Sequence, residues 1–144
     1  MSEFRPSKPG RAYIVRGVQG SGKSTVAKDL VASAGSNGRI HSTDDYFLDD
    51  QGNYNFDPRK LPQFHARNLA AFEESLKAGL DIVVCDNTNS KRWEYYRYMA
   101  LALKYGYIVA VVALPHPDPE IAAKRNKHGV PQAVIEKMIA NWEQ

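Results

Sequence analysis

Residues 17–25 read GVQGSGKST and follow the apolar run Ala12-Tyr13-Ile14-Val15. Gly17, Gly22, Lys23 and Ser24 satisfy the phosphate-loop pattern G-x-x-x-x-G-K-[ST], in the strand-then-helix setting that the pattern requires. Glycines tolerate positive φ and carry no Cβ, so the backbone N–H groups of such a loop can turn inward as a concave anion nest. The helix that follows points its positive N-terminus at the same place. Lys23 is expected to reach the β- and γ-phosphates of a nucleoside triphosphate, and Ser24 to offer its hydroxyl oxygen to Mg²⁺. Gly17, Gly20, Ser21, Gly22, Lys23, Ser24 and Thr25 are therefore the expected contacts for ATP.

The 144 residues suit one domain, with residues 1–10 read as a flexible arm and 11–144 as the folded unit. Hydrophobic residues make up 43% and charged residues 24%, with 19 Lys+Arg against 16 Asp+Glu, an ordinary globular balance that excludes a low-complexity or fibrous chain. The charge distribution says more than the sum. Residues 40–58 hold no Lys or Arg and five Asp, namely Asp44, Asp45, Asp49, Asp50 and Asp57, while Lys91-Arg92 and Lys124-Arg125-Lys127 are basic stretches. That separation fits one wall for phosphate and another for metal or proton. Cys85 is the only cysteine, which excludes an internal disulfide and a cysteine zinc site and fits a reducing, cytoplasmic setting. No apolar run has the length of a membrane span.

Apolar spacing predicts strands at 12–15, 39–42, 82–85 and 107–113, alternating with helices at about 24–33, 58–77, 91–105, 118–127 and 132–142. A small hairpin is expected around the turn at Asp50 to Asn53, and the last two helices form a short lid. Strands alternating with helices imply βαβ units and a parallel sheet of about four strands flanked by helices, an α/β fold. In such sheets ligands bind beyond the carboxyl ends of the strands. The phosphate loop, Asp44-Asp45 and Asp86 all fall there.

Asp44 can accept the proton of an incoming hydroxyl, or it can cap a turn together with Asp45. Asp45 is expected to point elsewhere and support the loop. Asp86 ends an apolar strand as a Mg²⁺-holding carboxylate does in phosphate-loop proteins, or it caps the next helix. Arg125 sits where a mobile lid can bring an arginine onto the γ-phosphate, with Lys127 and His128 as solvated lid residues or phosphate contacts. His65 reads as structural or as a contact to the acceptor loop. The aromatics Trp93, Tyr95, Tyr96 and Tyr98 read as core or half-buried packing, since they stand at helical spacing.

GVQGSGKST, STDDYF, His65-Ala66-Arg67-Asn68, VVCDNTN with Trp93-Glu94, and KRNKHGVP before a final amphipathic helix occur in this order. Together they resemble the phosphate-loop polynucleotide kinase family, in particular its small stand-alone kinase-like members. The resemblance covers the chain from about Arg11 onward. It implies ATP- and Mg²⁺-dependent phosphorylation of a hydroxyl on nucleic acid, DNA in the first instance. By the same matching Lys23 and Ser24 serve the phosphates and metal, Asp44 is the general base, Asp86 is an acceptor- or metal-site carboxylate, and Arg125 is the lid arginine. Where end-specific 5′-kinases have an arginine three residues after the base, this chain has Phe47. Some phage-type relatives phosphorylate a hydroxymethyl group on a modified pyrimidine in DNA, and an aromatic at 47 suits packing against such a base. The resemblance thus adds Asp45, Phe47 and His65 to the acceptor side.

Two other readings compete. One is a kinase for a nucleoside or small metabolite, with the acidic loop 46–60 as its pocket. The other is a nucleotide-dependent switch, which ranks below because Asn126-Lys127-His128-Gly129 lacks the aspartate of a guanine-recognition element.

Overall fold

In the computed structural model, which describes residues 9–144, the strands are Arg11–Arg16 (β1), Gly38–His41 (β2), Ile82–Asp86 (β3) and Ile108–Ala113 (β4). The helices are Lys23–Ala32 (α1), Leu61–Lys77 (α2), Arg92–Lys104 (α3), Pro119–Arg125 (α4) and Gln132–Ala140 (α5). Residues 1–8 of the expected arm lie outside the described residues. The strands pair in parallel in the order β2-β3-β1-β4, with Ala12 opposite both Val83 and Val109. The expected four-stranded α/β architecture is thus the observed one. Parallel pairing forces every connection to cross over a face, which carries all four strand C-termini to one rim.

The apolar period assigns the helices to their faces. α2 and α3 cover one side through Phe72, Leu76, Tyr95 and Tyr98 against Ala12, Ile14, Val83 and Cys85. α1 covers the other through Ala27 against Val15 and Val84. The four aromatics expected to pack divide by helical phase. Tyr95, Tyr98 and Ala102 share the buried face of α3, whereas Trp93 and Tyr96 point away and are 74% and 67% exposed. All five residues of β3 are buried, but β4 is an edge strand whose Ile108 and Val111 remain exposed.

A third, smaller core joins the phosphate loop to the lid. Val18, Ala122 and Ile135 are fully buried together, with Met138, Ile139 and Trp142 packed around them. The expected hairpin after β2 is reduced to one antiparallel bridge between Leu48 and Tyr54.

Candidate functional site

The rim holds a cleft of about 780 Å³. Gly20, Gly22, Lys23, Ser24 and Thr25 form its floor, Asp44, Asp45 and Asp86 one wall, and Arg125, Asn126, Lys127 and His128 its lid side. Gly20 and Gly22 have φ of 80° and 98°, the left-handed values that let successive N–H groups turn inward. Of the expected loop contacts, Gly17 and Ser21 do not line the cleft. Gly17 is buried and donates its N–H to the Thr88 carbonyl at 3.1 Å, and Ser21 Oγ is buried without a hydrogen-bond partner.

Side chains of the turn after β3 set the wall. Asn87 Oδ1 accepts from Thr43 N–H at 2.9 Å, tying the end of β2 to the end of β3. Asn89, at φ 52°, donates through Nδ2 to the Val15 carbonyl at 2.9 Å, and its own carbonyl accepts from Arg16 Nε at 2.7 Å. Three strand ends are thereby held in one place. The competing capping role of Asp86 goes to Glu94, whose Oε1 accepts from Lys91 N–H and Ser90 Oγ. Asp86 is left free to line the cleft, with Oδ1 lacking any hydrogen-bond partner.

Charges in the cleft are mutually arranged. Burial lowers the Lys23 ammonium pKa, with Asp86 and Asp44 opposing that shift, and Nζ donates to the Val18 carbonyl at 3.3 Å. Burial pushes the Asp86 carboxyl up, partly offset by Lys23, and burial and then Asp44 push Asp45 up. Asp44 behaves oppositely. Burial alone would raise it, but His128, Lys23 and Tyr54 outweigh burial and hold it below its ordinary value. A carboxylate held ionised beside the phosphate loop can receive a proton, and a cation beside it can take up phosphoryl charge.

Several expectations need correction. Asp45 faces the same cleft as Asp44, because Thr43–Phe47 is a 3-10 turn and not a strand whose side chains alternate. Phe47 does not face the cleft: it is 4% exposed, packed against Tyr54, Phe56 and Phe64, where burial of a phenyl ring gains about 2–3 kcal/mol. His65 is also outside the lining, with Nδ1 3.2 Å from Thr43 Oγ1. His128 is not a solvated lid residue, since its ring stacks on Tyr54.

Sequence reasoning missed Tyr54 and Asn126. Asn126 Oδ1 accepts from His128 and Val130 N–H, and Nδ2 donates to the Ala122, Ala123 and Val130 carbonyls, which shapes the lid turn. The Asn-x-x-Gly spacing before Gly129, at φ 69°, was its only signal. Among the described residues no group of three or more His, Cys, Asp or Glu could by itself hold a metal ion. The donors present fit Mg²⁺, which takes few protein oxygens beside phosphates and water: the Ser24 hydroxyl and the unpartnered Asp86 Oδ1.

Comparison with known proteins agrees with this geometry. An AAA domain family, AAA_33, matches residues 13–144. NEDD4-binding protein 2 of Homo sapiens is 36% identical over 136 residues, which cover 90% of this chain but 7% of that protein. Among solved structures, one of the Pnkp1/Rnl/Hen1 RNA repair complex superposes on 98% of this chain and 46% of its own, with TM-score 0.72 and 20% identity. A gluconokinase from Sinorhizobium meliloti covers 94% and 76%, with TM-score 0.58 and 23% identity. The chain belongs to the AAA domain family AAA_33 and has a P-loop kinase-like fold.

Proposed function

We propose that the chain is an ATP-dependent kinase that transfers the γ-phosphoryl group to a hydroxyl on nucleic acid. The observation that carries the reading is the cleft itself, where Lys23 and an Asp44 carboxylate held below its ordinary pKa line one space roofed by Arg125. In the transfer, the acceptor oxygen forms a bond to the γ-phosphorus, the bond to the β–γ bridging oxygen breaks, and ADP leaves. The acceptor's proton passes to Asp44. Lys23 neutralises charge on the β- and γ-phosphates, and Arg125 neutralises the charge that spreads over the transferring group. Gly20 and Gly22 supply backbone N–H donors. Ser24 and Asp86 would hold Mg²⁺, which when bound neutralises phosphate charge.

The nucleic-acid acceptor is supported by the motif order along the chain and by the likeness of fold to the Pnkp1 complex. A phenyl group at 47 offers no cation to an acceptor phosphate, which keeps a hydroxymethyl group on a modified pyrimidine in DNA beside the 5′-hydroxyl end as acceptor, but the buried ring does not supply the base packing expected of it. The acceptor wall also includes Leu48, Gly52, Asn53 and Tyr54, an enclosure that keeps a nucleoside or small metabolite as the second reading. Labelled ATP, incubated with 5′-hydroxyl oligonucleotides, hydroxymethyluracil DNA, nucleosides and gluconate, tests both. Label on DNA or RNA supports the proposal, label on small molecules alone supports the second reading, and transfer only to water ends the kinase reading.

A further inference from the structure

Tyr54 comes from the loop after the Thr43–Phe47 turn and His128 from the lid, and their rings stack with centroids 4.0 Å apart and planes 9° apart. Both also reach Asp44. The Tyr54 hydroxyl donates to Oδ1 at 3.4 Å, and His128 Nδ1 lies 3.4 Å from Oδ2. Each partner is fixed from behind. Phe47 packs edge-on against Tyr54 at 5.9 Å and against Phe64 of α2 at 4.7 Å, which anchors the loop ring to the body of the domain. Asn126 Oδ1 holds the backbone of His128 and Val130 from the lid side.

We propose that Tyr54 and His128 are positioning residues: their stack joins the lid to the acceptor loop and pins both oxygens of Asp44 in the orientation an acceptor hydroxyl meets. The inference rests on the reading of Asp44 as the group that takes the acceptor's proton. A carboxylate held at one oxygen still swings about its terminal torsion, whereas one held at both does not. Each oxygen has two lone pairs, so the incoming hydroxyl can bond Asp44 without expelling Tyr54 or His128. Burial and the nearby Asp44 charge raise the Tyr54 phenol pKa, which keeps its hydroxyl protonated as the donor. Both residues line the cleft, the place where packing alone would not call for a polar pair on one carboxylate.

The test separates the ring from the hydroxyl. Tyr54→Phe keeps the stack and is expected to lower kcat about 3- to 10-fold, the range of one hydrogen bond, with KM for ATP within about twofold. His128→Ala, which loses stack and contact together, is expected to lower kcat by about 10-fold or more. In an Asp44→Asn background the same substitutions are expected to change residual turnover less than twofold, because the carboxamide takes no proton and its orientation no longer limits the reaction. Equal losses in both backgrounds would overturn the proposal. Amide hydrogen exchange supplies a readout that needs no turnover: Tyr54→Ala and His128→Ala should speed exchange at residues 48–55 and 126–130, while Tyr54→Phe should not. If no acceptor is phosphorylated, the proposed function fails by itself. Faster exchange at both segments then still supports the clasp, and unchanged exchange overturns it.

Discussion

Gly20 of the phosphate loop lies against Ala122 of α4 with no room for a side chain between them. A Cβ on Gly20 would stand 2.4 Å from the Ala122 carbonyl oxygen and 2.8 Å from its Cα. The lid is thus seated on the loop through backbone, and the seat is completed by Val18, Ala122 and Ile135.

Gly20→Ala is therefore expected to push α4 off the loop and to strain a residue at φ 80°. The combined cost should be about 1–3 kcal/mol, in the range of overpacking and left-handed strain. Thermal unfolding should show the loss, and the KM for ATP should rise. A variant with unchanged Tm and KM would mean that the loop and lid do not meet this way in solution.

His41 supplies a pH dependence with a definite sign. Its Nε2 is 2.8 Å from Ser75 Oγ, and burial, followed by Arg39, lowers its pKa from 6.5 to about 4. Between these values the unfolded chain binds the proton and the folded one does not. The stabilisation is complete above pH 6.5 and is lost as the pH falls toward about 4. At about 1.4 kcal/mol per pKa unit, the swing is on the order of 3 kcal/mol. Urea unfolding of the native protein and of His41→Gln at pH 7 and pH 5 checks it: the substitution should flatten the curve across that window.

Much of the donor half was legible in the sequence because it depends on local geometry. Gly20, Gly22, Lys23 and Ser24 are neighbours in the chain, and the rule that strand ends share a rim was enough to bring Asp44 and Asp86 to them. The acceptor half was not legible in the same way. The stack of Tyr54 on His128 joins a loop to a lid far apart in sequence, and no periodicity announces it. Phe47 is drawn to the acceptor side by its place three residues after Asp44, where end-specific 5′-kinases have an arginine. Its neighbours in space are Tyr54, Phe56 and Phe64, and that aromatic cluster decided its burial. In α3 the helical period is present in the sequence, but core or half-buried packing is expected of all four aromatics, and the phase buries only Tyr95 and Tyr98.

Arg125 lines the cleft and is exposed, so its removal should touch catalysis and leave the fold intact. Arg125→Ala is expected to lower kcat by about 10³-fold if it acts as an arginine finger in cis, with Tm unchanged. A loss confined to KM for ATP would make it a binding residue only.

Asp86→Asn should separate stability from activity. Burial raises the Asp86 carboxyl in the folded state despite Lys23 nearby, so its charge at neutral pH opposes folding. The unfolded chain gives up its proton first as the pH rises above 3.8, which makes the ionised residue destabilising from that point through the folded pKa and beyond. Asn at 86 is expected to raise Tm at pH 7, with the gain fading toward pH 3.8, while Mg²⁺-dependent turnover falls sharply. A lower Tm at pH 7 would show that the Lys23 contact outweighs burial.

Asp44→Asn carries the opposite stability sign in the same cleft. His128, Lys23 and Tyr54 hold the Asp44 carboxyl below its ordinary value, so the ionised residue favours folding above pH 3.8 and that support is lost as the pH falls through its lowered pKa. The asparagine variant should unfold at a slightly lower temperature at pH 7 and match the native protein in acid. Its chemistry should suffer far more. Loss of a general base costs about 10²- to 10⁴-fold in turnover. ATP affinity should persist, because Gly20, Gly22 and Lys23 are untouched. Phosphoryl transfer and equilibrium binding of a non-hydrolysable ATP analogue, measured on the same preparation, decide the point: native turnover in the variant removes Asp44 as the base, and loss of nucleotide binding moves it to the donor half of the cleft.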